Sequence, residues 1–301
     1  MTVLAVDLGG TKVAAALVEP DGTVVEASRH RAPTGPEATT AELEASITEV
    51  VRDALAAADG PVQGVGLAAA GPVDDAAGTT SPINLEALHG FPLRDLVADA
   101  AGGLSVEFRR DGVAIVLGEH WLGAARGHDD ALGMVVSTGI GGGFIVGGRA
   151  LVGNAGHIGQ VEVSGYTGSE SLGRTTMLES VASGPHTVEW ARTQGFAGTT
   201  GEELGEAYRA GDEVAVAAVR RCAAAVGQGI GSAVALVPVS VVVLGGGFTR
   251  VADDFVALVQ SVVAEHPLPY VAGARVVPAG LGSDAPLIGA AALVYRRNVL
   301  S

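Results

Sequence analysis

Two distant stretches share one pattern: "VLAVDLGGTKVAAALV" (residues 3–18) and "LGMVVSTGIGGGFIVGG" (residues 132–148). In each, an apolar run stops at a short turn of small residues and a second apolar run returns. Apolar runs bounded by glycines read as buried strands, so both stretches read as strand, small-residue turn, strand. The likeness is one of architecture, too loose for a sequence repeat. It predicts an α/β chain with two sheets facing a shared cleft, each offering one turn to a ligand.

The intervening sequence supplies the other elements. A Pro-Asp-Gly turn leads from the second strand into a third, "TVVEASRHRA". Residues 39–58 have helical spacing with Thr39 or Thr40 as N-cap. "VQGVGLAAAGPVD" reads as strand then turn, "FPLRDLVADAAG" as a short helix closed by Gly102, "LSVEFRRD" as a strand and "GVAIVLGEHWLGAARG" as a helix. A mostly helical region spans about 175–237, followed by the strand "VSVVVLGGG", a helix over about 255–265 and the Ala-rich terminal helix "APLIGAAALVYRRNVL". No linker or low-complexity segment interrupts the chain.

Composition excludes several function classes. The 301 residues are enough for one large domain or two ordinary ones. No apolar run reaches the ~18 residues of a membrane span, and Met1 leads straight into a strand rather than a signal segment. Cys222 is the only cysteine. Intrachain disulfides and thiolate metal cages are therefore excluded, and a reducing cytoplasm fits best. With 18 basic against 33 acidic residues, net −15, the chain lacks the basic face that nucleic acid or an anionic membrane demands. Any phosphate bound here must be handled locally.

Three turns offer that local handling: Asp7-Leu8-Gly9-Gly10-Thr11-Lys12, the run from Ser137 and Thr138 through Gly139 and Gly141 to Gly143, and Gly245-Gly246-Gly247. Glycine lets backbone N–H groups surround phosphate oxygens without a Cβ in the way. Each turn alone is a common strand ending; the three together favour a bound nucleotide. A Walker loop fails because Lys12 follows Thr11 instead of preceding a Ser or Thr. A dinucleotide fingerprint fails because Phe144 stands where its third glycine belongs. Asp7 repels a bare triphosphate but attracts one that carries Mg²⁺, directly or through water. The competing reading makes Asp7 a turn aspartate capping backbone N–H groups, and Lys12 an ordinary solvated lysine.

The motifs "VDLGGTK", "GLAAAGPVD", "INLEALHGFPL", "RDGVAIVLGEHWLGAARG", "STGIGGGFIVGG", "GNAGHIGQVEV" and "VVVLGGGF" resemble, in order and spacing, those of the ROK family of sugar kinases and sugar-responsive repressors. The resemblance implies a two-domain actin/hexokinase-like ATPase fold with ribonuclease H-like domains. The smaller domain would hold residues 1–116 plus a C-terminal helix at about 286–301, and the larger one residues 117–285. It further implies ATP and Mg²⁺, transfer of the γ-phosphate to a sugar hydroxyl, and a homodimer. Asp111 is implied as general base. A carboxylate there would accept the proton of a hydroxyl as its oxygen attacks phosphorus. Aspartate is also a favoured N-cap, and the competing reading, compatible with the first, makes Asp111 the cap of a helix beginning near Gly112.

The sugar pocket departs from the family pattern. Asn84 and Glu179 match sugar-contacting positions, but Arg110 replaces an asparagine, and in "GHIGQ" His157 replaces a glutamate and Gln160 a histidine. The family's zinc loop is here "SGYTGSESLGRTTMLE" without cysteine, so no zinc is expected. A glutamate accepts two hydroxyl hydrogen bonds, whereas neutral His157 offers one donor and one acceptor, and Arg110 brings a fixed cationic fork. These changes favour an altered hexose, an amino sugar or a C7-cyclitol over plain glucose. Alternatively, Arg110 points away to pair with Glu107 or Glu119, and His157 is a structural histidine behind the pocket. A DNA-binding repressor is disfavoured because the first turn begins at residue 7. A catalytically silent relative is disfavoured by the retained Asp7, Thr138 and Asp111.

Overall fold

A computed structural model describes residues 1–300 apart from 84, 171 and 172. The substrate-binding expectation for Asn84 lies outside the described residues. Strands β1 (Thr2–Leu8), β2 (Lys12–Val18) and β3 (His30–Pro33) precede helix α1 (Thr40–Ala56) and strand β4 (Val62–Ala69). Two short strands, β5 (Val73–Asp74) and β6 (Thr79–Thr80), lead to α2 (Leu93–Ala100), β7 (Val106–Arg110) and α3 (Asp111–Leu122). Next come β8 (Ala131–Val136), β9 (Ile140–Val146), β10 (Arg149–Ala150) and the helices α4 (Leu178–Ala182), α5 (Gly184–Thr193), α6 (Gly201–Ala210) and α7 (Glu213–Leu236). Strand β11 (Val241–Gly245), α8 (Phe255–Ala264), α9 (Pro269–Ala272), β12 (Arg275–Pro278) and α10 (Ala285–Tyr295) complete the order. No described helix is long and apolar enough to cross a membrane.

The chain divides into two compact units. One takes Met1–Arg126, Gly148–Ala155 and Gly280–Ser301; the other takes Gly127–Gly147 and Gly156–Ala279. In the first, strands run β3-β2-β1-β4-β7, with β1, β4 and β7 parallel and the β1–β2–β3 meander antiparallel. In the second, β9 pairs antiparallel with β8, and β8, β11 and β12 are parallel. The order β2-β1-β4-β7 thus recurs as β9-β8-β11-β12. This is the mixed-sheet architecture of the actin/hexokinase-like ATPase fold.

The period-two rule assigns the two faces of the first sheet. Leu4, Val6 and Leu8 of β1 and Val65, Leu67 and Ala69 of β4 share one core cluster with Leu43, Ile47 and Val51 of α1 and Leu93 and Val97 of α2. The opposite face carries smaller residues and receives α10. There a Cβ on Gly66 of β4 would lie 1.8 Å from the Ala290 carbonyl oxygen, so only glycine lets strand and helix approach this closely. Helix α1 starts where the sequence places it: Thr39 and Glu42 form a reciprocal capping box.

The third strand differs from expectation. It begins only at His30, after a 3-10 turn over Glu26–Ser28. Buried Ser28 causes this, because its hydroxyl accepts the Leu17 N–H at 2.8 Å and donates to the Val25 carbonyl at 2.6 Å. A side chain there takes the bond a paired strand residue would make. A second buried polar group, Glu119, accepts N–H groups from Ala124 at 2.8 Å and from Gly280 and Leu281 at 3.0–3.1 Å. It thereby fixes the end of α3 to the start of the C-terminal segment.

Gly66→Ala is expected to destabilise the protein by about 3 kcal/mol, the upper end of overpacking costs, read as a lowered urea midpoint. A change within about 0.5 kcal/mol, as at a typical surface site, would contradict the close strand–helix contact.

Candidate active site

In the first unit the candidate residues gather at the carboxyl edge of the parallel strands. In open α/β sheets this edge, where loops leave for the helices, is where ligands bind. Asp7 lies near the end of β1, opposite Ala68 of β4, and Ala69 of β4 lies opposite Arg110 at the end of β7. The turn after β1 closes by a Gly9 N–H to Lys12 carbonyl bond of 2.9 Å. Thr34 anchors it, its hydroxyl donating to the Gly9 carbonyl at 2.9 Å. Gly10 is half-buried, and Thr11 and Lys12 are exposed.

Two carboxylates meet at this edge. Asp7 is raised to about 7, first by desolvation and then by the like charge of Asp111, while Lys12 opposes the shift. Asp111 is also raised by desolvation; Arg110 and the Gly112 N–H counteract. That N–H donates to Asp111 Oδ1 at 2.6 Å, and the Arg110 guanidinium lies 3.9 Å from the same oxygen. Helix α3 begins at Asp111 itself, with Arg110 in the N-cap position. This corrects the expected cap at 111. The carboxylate instead sits in the first helical turn, where the helix dipole favours negative charge, and its side chain is 40 % exposed.

The alternative pairing for Arg110, with Glu107 or Glu119, is not what the structure shows. Glu107 bonds Arg297 and Glu119 is taken by backbone N–H groups. The buried Arg110 side chain instead donates to the Ala155 carbonyl. Desolvation lowers its affinity for its proton, while Asp111 and Asp75 restore it. Asp75 also lies 3.7 Å from Arg109. Sequence reasoning missed Asp75 because nothing distinguishes it from its neighbour Asp74. Through the Ala155 carbonyl, Arg110 binds that residue's loop to the strand end that carries Asp111.

In the second unit the other two turns lie side by side, since Gly245 of β11 is opposite Val135 of β8. Gly246 has φ +104°, and a Cβ there would lie 2.2 Å from the Val136 carbonyl oxygen, so a glycine is obligatory. Thr138 and Gly247 are exposed, while Gly139, Gly141 and Gly245 are half-buried. Glu179, in the first turn of α4, accepts the Ile140 N–H at 2.7 Å. It therefore braces the Ser137–Ile140 turn, a job the sequence did not disclose. His157 precedes a short turn at Ile158–Gln160, of which Gln160 is the last residue. That segment bonds to β9 through Gly142 N–H and Gly156 carbonyl at 3.1 Å, and to α4 through Leu178 N–H and Val161 carbonyl at 2.8 Å.

Among the described residues no group of three or more His, Cys, Asp or Glu could hold a metal ion by itself. Cys222 is a buried free thiol whose pKa burial pushes up to about 12.

The family model described as ROK family matches residues 3–297. Among curated proteins, N-acetylmannosamine kinase of Escherichia fergusonii is 32 % identical, over 97 % of this chain and 98 % of its own length. Glucokinase of Thermotoga maritima is 29 % identical, over 99 % and 98 %. Among solved structures, a ROK family glucokinase from Streptomyces griseus in complex with glucose and AMPPNP superposes with a TM-score of 0.82. It is 30 % identical, over 97 % of this chain and 99 % of that one.

The Asp7 value near 7 lies above the ordinary 3.8, so the folded chain retains a proton that the unfolded chain has lost. The stability this contributes is full below about pH 4 and is lost as pH rises toward 7. Without nucleotide and metal, Asp7→Asn is expected to raise Tm relative to wild type at pH 7.5 and to leave it unchanged at pH 4, read by scanning fluorimetry. Equal differences at both pH values would contradict this assignment.

Proposed function

Because the chain belongs to the ROK family, we propose that it is an ATP-dependent kinase passing the γ-phosphate to a hydroxyl of a sugar or sugar-like molecule, with Asp111 as general base. The observation that carries the reading is the Asp111 carboxylate: oriented by the Gly112 N–H, flanked by Arg110 and still partly exposed. Its raised affinity for a proton suits a group that must accept one from an alcohol near neutral pH. In this reading the acceptor hydroxyl donates to Asp111; its oxygen attacks the γ-phosphorus as the bond to the β,γ-bridging oxygen breaks, the proton passes to the carboxylate and ADP leaves with the bridging oxygen.

The residues present fit Mg²⁺. Asp7 offers hard oxygen, and its repulsion with Asp111 is relieved by a divalent cation. The lack of a larger donor cluster among the described residues suits an ion that keeps waters and phosphate oxygens as its other ligands. When bound, magnesium neutralises phosphate charge. Phosphate contacts are assigned to Lys12 with the N–H groups of Gly9, Gly10 and Thr11, and to Thr138, Gly139, Gly141 and Gly245 to Gly247.

The acceptor is read from His157, Gln160 and Arg110. A histidine and a glutamine present mixed donors and acceptors, suiting an acceptor decorated differently from glucose: an amino sugar, an altered hexose or a cyclitol. Arg110 shapes this end through the Ala155 carbonyl. A homodimer in a reducing cytoplasm belongs to the same reading, by analogy with the family and from a single buried thiol.

Asp111→Asn keeps an oxygen for the Gly112 N–H but loses the base. It is expected to fold normally and to lower kcat about 10²–10⁴-fold, measured as ADP release with glucose, N-acetylmannosamine, other amino sugars and cyclitols. Undiminished turnover would remove Asp111 from the mechanism.

A further inference from the structure

The carboxylate that braces the Ser137–Ile140 turn rests on an insecure support. Glu179 belongs to α4, a helix of five residues, too short to persist by its own hydrogen bonds. Its last carbonyls have no partner within the helix. Two consecutive residues of α7 fill that need. The Arg221 guanidinium donates to the Val181 carbonyl at 2.8 Å, and the Cys222 thiol donates to the Ala182 carbonyl at 3.2 Å.

Arg221 does more than cap. Its second terminal nitrogen donates to the Thr167 carbonyl at 2.6 Å, tying down the segment that leads into α4. The guanidinium carbon lies 5.6 Å from the Tyr166 ring centre and 5.0 Å from that of Trp190, so two aromatic rings contact the cation and fix its plane. The rings border an open hollow of about 560 Å³ that also includes Arg220. Gly168 N–H donates to the Thr175 carbonyl at 2.8 Å ahead of the helix, and the buried Ser180 hydroxyl of α4 ties that stretch to the helix by donating to the Arg174 carbonyl at 3.1 Å.

We infer that Arg221 is a positioning residue for Glu179: by pinning α4 and the preceding segment together, it holds the Glu179 carboxylate on the Ile140 N–H and so shapes the phosphate-binding turn. The inference rests on the kinase reading for the word phosphate; the mechanical link from Arg221 to Ile140 does not.

The test is amide hydrogen exchange of the full chain followed by mass spectrometry, with kinase kinetics alongside. Arg221→Met keeps an apolar stem and loses every donor. It is expected to speed exchange at Ile140 by about tenfold or more, leave the β11 amides unchanged and raise KM for ATP more than it lowers kcat. Arg221→Lys, a cation with a different donor geometry, is expected to fall between the two and serves if the Met variant folds poorly. Millimolar methylguanidinium is expected to restore Ile140 protection in the Met variant by reoccupying the space between Tyr166 and Trp190. Unchanged exchange at Ile140, equal acceleration across β11, or failure of methylguanidinium to restore protection would overturn the inference. If wild-type protein turns over no acceptor, the kinase reading fails while the exchange data still decide the clamp.

Discussion

The first unit is organised around a repulsion. Asp7 near the end of β1 and Asp111 directly after β7 lie at the same edge of the sheet with β4 between their strands, partly removed from water, and the charge of Asp111 makes that of Asp7 costlier. A chain of net charge −15 adds no general relief. Relief is local: Lys12 answers Asp7, while Arg110 and the Gly112 N–H answer Asp111. The imbalance leaves Asp7 able to hold a proton near neutrality. In the proposed reading, a divalent cation at this edge removes a cost that folding leaves in place.

The arginine next to Asp111 shows how a single side chain serves packing and chemistry together. Its guanidinium is buried, satisfies a loop carbonyl and lies within 3.9 Å of the candidate base. Removing it would both free the 153–155 loop and leave Asp111 with less charge compensation. In the second unit, Glu179 and Arg221 act similarly on the other turn. One carboxylate holds one N–H, and one cation holds the helix that carries the carboxylate. The Ser137–Ile140 turn therefore depends on side chains outside its own sequence, as the Gly9 turn depends on Thr34.

What was legible in the sequence follows from locality. The strand–turn–strand stretches, the α1 cap at Thr39 and the helical character of residues 175–237 are set by nearest neighbours along the chain, and periodicity reveals them. The repeated strand order was visible as a likeness of architecture because both halves place a hairpin before a parallel strand. The direction taken by Arg110 was hidden, because its partner Ala155 is far away in sequence and its competitors Glu107 and Glu119 are claimed by Arg297 and by backbone at 280–281. The bracing contact of Glu179 and the role of Arg221 were hidden for the same reason: each acts through a backbone group that no pattern marks. Ser28 shows the local limit, since one hydroxyl diverted a strand that composition favoured.

If Asp7 is a partly protonated carboxylate that a magnesium-bound phosphate must displace from its proton, nucleotide binding releases protons. Calorimetry of the preformed magnesium complex of a non-hydrolysable ATP analogue, in buffers of different ionisation enthalpy at pH 7, measures that release directly. Wild-type protein is expected to release about half a proton per site more than the Asp7→Asn variant. Equal release by both proteins would contradict the placement of the metal-bound phosphates at Asp7.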